Sequence, residues 1–320
     1  MGWLFKLTKN LSYFYIALTV SLLFIITFVG LSSLGLIQSV DSANLIGDAS
    51  RWCEKVSDGL FREPVNTLSN LGFMIAGLYM FWIISNEKKD PNNPFIGISP
   101  ISILYASVVI YLGPGSMLMH GTNTEWGGWA DNLSMIMYII LPWLFNIYRM
   151  SKWTVNSFFI YYFSIVVIYS VWRWFTDFEL GINFNLFGVS IGLWVISETL
   201  YRFWSPTFRF LSGFVGFIVL MIFGTMPHEV FNNINEYWWV VLFWLPGLVA
   251  NQKPIQQRTY KWFFFGMISY MTAFAIWLTG VPDNTLCNPD SIIQAHGIWH
   301  LLTALSTYFF FLHYRRLKEI

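Results

Sequence analysis

The chain has 320 residues, of which 56% are hydrophobic, 20% aromatic and only 11% charged. A soluble domain of this length needs far more charged surface, so the composition excludes that class and predicts an integral membrane protein. The net charge of +1 leaves no basic excess for a nucleic-acid partner.

The first predicted element is a long apolar helix behind a short basic end. Lys6 and Lys9 precede an apolar stretch at 13–37. Secretory signal peptides have apolar cores of about 7–15 residues, whereas this stretch is long enough to span a bilayer. We therefore predict that residues 1–38 are a retained signal anchor, with cleavage near Ser42–Ala43 as the alternative.

An outer loop at 39–65 is followed by further apolar stretches that continue almost to the C-terminus. A helix needs about 20 apolar residues to span a bilayer. This rule predicts an all-α, polytopic bundle of about ten spans, at 13–37, 66–86, 99–120, 131–149, 155–175, 183–203, 208–226, 237–250, 260–281 and 293–313. The short stretch at 237–250 has a re-entrant segment as its alternative.

The basic residues orient these spans, because cytoplasmic loops of membrane proteins are enriched in Lys and Arg. With the N-terminus inside, all but four of the 18 basic residues lie on the cytoplasmic side. The four on the outer side are Arg51, Lys55, Arg62 and Arg173. The pattern predicts that both termini are cytoplasmic.

A single transmembrane domain is the predicted organisation of residues 1–320. Neither an internal repeat nor a low-complexity tract divides the sequence. Within this domain, residues 66–320 form the predicted main bundle. The sequence carries no signal for the oligomeric state.

The two cysteines, Cys53 and Cys287, both fall in predicted outer loops. Outer compartments are oxidising enough to maintain a disulfide bond. A Cys53–Cys287 bridge is therefore expected, with two free thiols as the alternative.

A small set of polar residues occurs at helical spacing near the outer ends of three predicted spans. Ser116 and His120 are four residues apart, as are His296 and His300, and Asp131 opens the next span. Residues at i and i+4 lie on one face of a helix. Three imidazoles at one depth leave the fourth position of a tetrahedral zinc open, the pattern of a catalytic site. For any one histidine alone, a hydrogen bond between helices or a place at the headgroup level is the alternative.

Four separated motifs, in order along the chain, resemble the alkaline ceramidase family. They are WCE, EPVNTLSN, GxGSMLMH with Asp131 eleven residues after its histidine, and HGIWHLLTALSTY. The resemblance implies a seven-helix membrane hydrolase that cleaves the amide of ceramide at an intramembrane zinc. Relative to that family, the chain adds an N-terminal span and an extra helix pair at 208–226 and 237–250.

The resemblance also assigns roles within the site. It implies zinc binding by His120, His296 and His300, with Ser116 and Asp131 in the same site. Asp131 would take a proton from zinc-activated water and pass it to the leaving amine. Ser116 would hydrogen-bond the developing oxyanion or orient the ligands.

The implied substrate is a membrane lipid, ceramide or a related N-acyl sphingolipid, with a fatty acid and a sphingoid base as products. The active site would face the outer, periplasmic or lumenal side. The wider superfamily includes adiponectin-type receptors, so a zinc-containing receptor or lipid sensor with little turnover is the alternative function.

A calcium site of the family is matched only in part. Trp52, Glu54 and Glu63 stand at the corresponding positions. However, Arg51 occupies the position before the tryptophan where the family has an acid, and Val56 occupies the position where it has an asparagine. Calcium prefers six to eight oxygen ligands, and an arginine at this position opposes it. The alternative interpretation pairs Arg51 or Lys55 with Glu54 or Glu63.

The polar residues at the start of the second span have simpler predicted roles. Glu63 before Pro64 is typical of a helix start, where an acid is favoured by the helix dipole. Asn66, Ser69 and Asn70 are predicted to form hydrogen bonds between helices.

Overall fold

The computed structural model describes residues 2–37 and 52–319, and this part of the chain is mostly helical. The helices are α1 Gly2–Ser33, α2 Pro64–Ser69, α3 Leu71–Ser85, α4 Pro100–Thr122, α5 Glu125–Arg149, α6 Val155–Phe175, α7 Leu186–Phe203, α8 Pro206–Leu211, α9 Phe214–Ile222, α10 Pro227–Asn232, a 3₁₀ helix Trp238–Trp244, α11 Leu245–Val249, α12 Lys261–Trp277 and α13 Ala295–Arg315. Two short strands, β1 Gln256–Arg258 and β2 Leu317–Glu319, pair in a two-stranded sheet. The all-α prediction is confirmed for the described residues.

Five helical stretches in the described part are long and apolar enough to cross a membrane. They are Leu11–Ser33, Pro64–Ser85, Pro100–Thr122, Glu125–Arg149 and Val155–Phe175. These coincide with the first five predicted spans, and they identify the chain as a membrane protein. The total of about ten spans is not confirmed.

The predicted helix pair at 208–226 and 237–250 consists of short pieces. The first stretch is divided between α8 and α9, and the second between the 3₁₀ helix and α11. At the junction of α8 and α9, a Cβ atom on Gly213 would lie 2.5 Å from the ring of Trp244. The close approach of this ring to the backbone requires glycine, which favours an interruption of the helix here.

The chain divides into two compact units. One contains residues 1–134 and 258–317, and the other contains 135–257 and 318–320. All the residues predicted to form the metal site and the disulfide belong to the first unit. The single transmembrane domain stays a prediction.

Within the first unit, α13 packs against α12, α3 and α2, while α4 packs against α3 and α2. The start of α4 is fixed by a capping box, in which Ser99 and Ser102 each bond the backbone N–H of the other. Later in α4, a Cβ atom on Gly115 would lie 2.6 Å from the Cβ of Ser134 in α5. Glycine here lets the two helices approach closely just before Ser116.

The second unit has a buried polar cluster of its own. The Asn146 amide donates to the Ser197 hydroxyl at 3.0 Å and to the Glu198 carboxylate at 2.9 Å. Tyr201 donates to the carbonyl of Gln256 at 2.8 Å, and the Gln256 side chain accepts from Arg149 at 2.6 Å. Helices surrounded by lipid gain little from packing apolar side chains against one another, so hydrogen bonds of this kind help to hold them together.

Candidate metal centre

Two helices present the three histidines. His120 lies in the last turn of α4, and His296 and His300 lie in the first two turns of α13. The i, i+4 spacing places the last two on one face, turned towards α4. All three side chains are buried. The convergence predicted from the spacing is therefore observed.

The ring nitrogens of these histidines are close enough to bind one metal ion. One nitrogen from each ring lies within 4.8 Å of the other two, and Nε2 of His120 is 3.1 Å from Nε2 of His296. Nitrogen lone pairs at this separation repel unless a proton or a cation lies between them. Tetrahedral zinc with bonds of about 2.0–2.1 Å places ligand nitrogens about 3.3 Å apart. Three imidazoles are a donor set that zinc accepts, and the separation of the His120 and His296 nitrogens is close to this value.

The ring of His120 is oriented by a buried carboxylate, which bonds its nitrogen Nδ1. Its Nδ1 lies 2.6 Å from Oε2 of Glu63, which also accepts a hydrogen bond from the Asn66 amide at 2.9 Å. A carboxylate accepts a hydrogen bond from Nδ1–H, which leaves the lone pair of Nε2 free for a metal. Carboxylate–histidine pairs of this kind are usual beside zinc.

The Nδ1 nitrogen of His300 faces a hydroxyl group. The Oγ of Ser69, at the end of α2, is 2.8 Å from His300 Nδ1. Ser69 was predicted to form a hydrogen bond between helices, and it does. The structure adds that its partner is one of the three converging histidines.

His296 is held by a ring contact instead. The indole of Trp52 stacks on its imidazole with a centroid separation of 3.9 Å and an angle of 26°. The ring of Trp277 packs against the Trp52 indole, with a centroid separation of 5.1 Å. Nδ1 of His296 is buried without a hydrogen-bond partner among the described residues.

Ser116 and Asp131 lie beside the histidines. The Oγ of Ser116 is 3.5 Å from Nε2 of His300, and the Ser116 hydroxyl hydrogen-bonds Asp131. Ser116 is buried and Asp131 is partly buried. The structure therefore brings together all five residues that the spacing singled out, and an acid lies next to the three imidazoles.

The segment at 52–63, here called the strap, lies at the end of the bundle that holds the histidines. The Cys53–Cys287 disulfide is formed, with 5.5 Å between the Cα atoms. Beside it, the backbone N–H of Cys53 donates to Gly280 O at 2.7 Å. At the other end of the strap, the N–H of Glu63 donates to His120 O at 2.9 Å. The strap is thus tied to the approach to α13 and to the end of α4.

Glu54, in the strap, caps the N-terminus of α2. Its two carboxylate oxygens accept hydrogen bonds from the backbone N–H groups of Val65 and Asn66 at 2.6 and 2.8 Å. Burial raises the pKa of Glu54, and these two hydrogen bonds offset part of the rise. An acid at this position is also favoured by the helix dipole.

The three residues matched to a calcium site are therefore all engaged around the histidines and α2. Trp52 stacks on His296, Glu54 caps α2 and Glu63 bonds His120. Lys55, predicted as a partner for Glu54 or Glu63, lies 3.3 Å from Asp290 instead. Arg51 lies outside the described residues. Calcium binding stays a prediction.

Sequence reasoning missed how the imidazoles are held. It treated Glu63 as a helix-start acid and Trp52 as part of a cation site. Their contacts with His120 and His296 connect residues 57 or more positions apart in the chain. No local spacing signals such contacts.

Two comparisons with known proteins bear on this site. A family model described as Ceramidase matches residues 49–319. No curated protein matches the chain. The matched range contains the strap, all three histidines, Ser116 and Asp131, and it leaves out α1.

Proposed function

Because the chain belongs to the ceramidase family, we propose that it is a zinc-dependent hydrolase of the amide bond in ceramide or a related N-acyl sphingolipid. The family supports amide hydrolysis of ceramide in general. The observation that carries the zinc proposal is the convergence of three buried imidazole nitrogens within 4.8 Å. The products would be a fatty acid and a sphingoid base.

His120, His296 and His300 would hold the zinc through the ring nitrogens that face one another. A bound zinc ion supplies a water of lowered pKa and polarises the amide carbonyl. Glu63 and Ser69, bonded to Nδ1 of His120 and His300, keep two of the rings oriented for this task. Burial of the rings keeps bulk water out.

Asp131 would act as the general base and then as the general acid. It accepts a proton from the attacking water as the water oxygen bonds to the amide carbon. It then delivers this proton to the nitrogen as the C–N bond breaks, which releases the sphingoid amine and leaves the fatty acid. Its contact with Ser116, close to the histidines, supports this role.

Ser116 has two roles open to it within the same mechanism. Its hydroxyl can donate to the oxygen of the amide carbonyl as negative charge develops there. It can also orient Asp131, with which it already shares a hydrogen bond. Both roles require its present position one turn before His120 on α4.

The proposed setting is a multi-pass membrane protein with both termini in the cytoplasm and the site towards the outer side. The Lys and Arg distribution supports this orientation, and the disulfide supports an oxidising compartment around the strap. We retain about ten spans in one domain as part of the proposal. A two-tailed lipid substrate would then enter from the bilayer.

Metal analysis combined with lipid mass spectrometry tests the proposal. Wild-type protein should contain near-equimolar zinc and release fatty acid from ceramide. His120→Ala should lose both metal and product, whereas Asp131→Asn should keep zinc and lose product. Glu125→Gln is the matched control, because Glu125 is an exposed acid in the first turn of the same helix as Asp131.

Two results would contradict the enzyme proposal. Product release that persists in a zinc-free His120→Ala protein would exclude zinc from the reaction. Zinc-loaded wild-type protein that hydrolyses no member of a panel of N-acyl lipids would favour the receptor or sensor. Calcium analysis of the same samples tests the site proposed at Trp52, Glu54 and Glu63.

A further inference from the structure

The hydrogen-bond directions around Ser69 are determined by a single proton. Its Oγ is 2.9 Å from the backbone carbonyl of Asn66, which can only accept, so the hydroxyl proton points there. The same oxygen is 2.8 Å from Nδ1 of His300. With its proton already donated, the oxygen can only accept from His300. In this arrangement the Nδ1 atom carries the hydrogen and donates it to Ser69 Oγ.

The Ser69 oxygen faces the Nδ1 side of the His300 ring. An acceptor on this side of an imidazole favours the tautomer with the proton on Nδ1. Nε2 of His300 is then an unprotonated donor atom that faces His120, His296 and Ser116. This is the form of histidine that binds a metal.

Close packing between α2 and α13 makes this contact possible. A Cβ atom on Gly297 would lie 3.2 Å from Val65 Cγ1 and 3.5 Å from Ser69 Oγ. A larger residue at 297, one turn before His300, would push α2 away. The glycine therefore brings the Ser69 hydroxyl within reach of the imidazole.

From this geometry we propose that Ser69 is a positioning residue that fixes the tautomer and the ring orientation of His300. The inference rests on the proposed metal centre. Ser69 has no direct contact with the reacting atoms in this assignment and acts through His300 alone. It performs for His300 the task that the Glu63 carboxylate performs for His120.

The test measures metal affinity in the full-length chain in detergent, with zinc titrated against a competing chelator. Ser69→Ala should weaken zinc binding about tenfold. This is the lower end of the loss expected when the partner of a ligating histidine is removed, because the Ser69 hydroxyl is an uncharged partner. Ser69→Thr retains the hydroxyl and should restore the affinity. The visible absorption spectrum of the cobalt-substituted protein should change in Ser69→Ala and return to the wild-type form in Ser69→Thr.

Ser306→Ala is the matched control. Ser306 is a buried serine on α13 whose hydroxyl donates to the Gly266 carbonyl at 2.8 Å. Its loss removes a comparable hydrogen bond on the helix of His300 without touching an imidazole. Zinc affinity and the cobalt spectrum should therefore stay as in the wild type.

The proposal is overturned if Ser69→Ala binds zinc as tightly as Ser306→Ala and keeps the wild-type cobalt spectrum. If Ser69→Ala does not fold, Ser69→Cys replaces it, since sulfur is a weak acceptor, and the same loss is expected. Wild-type protein without zinc affinity would instead overturn the proposed function. The two failures are thus separated by the wild-type measurement.

Discussion

Helices α1 and α13 are both long, but most of α1 is exposed whereas α13 buries a polar face. Along α1, large apolar side chains such as Ile16, Val20 and Ile26 are 60–67% exposed. Along α13, the buried set includes His296, His300, Thr303, Ser306 and Thr307. In this chain, polar side chains thus mark the packed face of a helix.

The physical reason is the solvent. Lipid tails are as apolar as leucine, so burying an apolar side chain between membrane helices brings little gain. An unpaired polar or ionisable group in the hydrocarbon is costly and turns inward to find partners. The comparison indicates that α13, with its histidines, holds the proposed site, whereas α1 is a helix whose side chains are mainly exposed.

One part of α1 departs from this pattern. Phe28 is buried, stacks on Phe61 of the strap at a centroid distance of 5.3 Å, and packs with Met74 and Met117. A Cβ atom on Gly121, the residue after His120, would lie 2.5 Å from the Phe28 ring. The helix outside the matched family region therefore contacts the edge of the candidate metal centre.

The largest effect is expected on the polar face of α13. His300→Ala removes one of three proposed ligands, so bound zinc and ceramide hydrolysis should both be lost. Leu305→Ala, at an exposed position on the same helix, should change neither. The measurements are metal content and fatty acid release. Loss of function in both variants would remove the contrast between the two faces.

A smaller effect is expected where the strap joins α13. Replacing Cys53 and Cys287 together by serine should lower the free energy of unfolding by about 4 kcal/mol, because the disulfide closes a loop of 234 residues. It should also weaken zinc binding, since Trp52 next to Cys53 stacks on His296. Thermal unfolding and zinc titration check this. Unchanged zinc affinity would show that Trp52 stays in place without the bridge.

The third effect concerns α1. Phe28→Ala leaves a cavity between α1, the strap and α4, so we expect a loss of stability of about 3 kcal/mol. Thermal unfolding of the two variants Phe28→Ala and Ile26→Ala provides the comparison.

Ile26→Ala should change stability by no more than about 0.5 kcal/mol, because Ile26 is exposed on the same helix. Equal losses in the two variants would contradict the assignment of a packed face to Phe28. They would also leave α1 as a membrane anchor alone.

Much of the site was predictable because it depends on local spacing. The i, i+4 pairs Ser116–His120 and His296–His300 place each pair on one face of a helix whatever the rest of the fold does. The bridge between the two cysteines followed from the predicted orientation of their loops. The span count was harder to predict, because 208–226 and 237–250 have apolar composition but break into short helices.

The partners of the imidazoles could not be predicted from spacing. Glu63 has a valid local role as an acid before Pro64, and nothing local indicates that it bonds His120. Ser69 and His300 are separated by 231 positions. Such pairs depend on the packing of α2 against α4 and α13, and small residues such as Gly297 set how close these helices come.

Composition and periodicity act locally, so they are enough to predict an apolar helical chain with three histidines, a serine and an aspartate at helical spacing. The contacts of Glu63, Ser69 and Trp52 with the three rings, and the contact of Phe28 with the strap, are visible only in the folded chain. Hydrogen-bond direction and ring stacking depend on positions accurate to a fraction of an ångström. Those positions arise from helix packing across the whole unit.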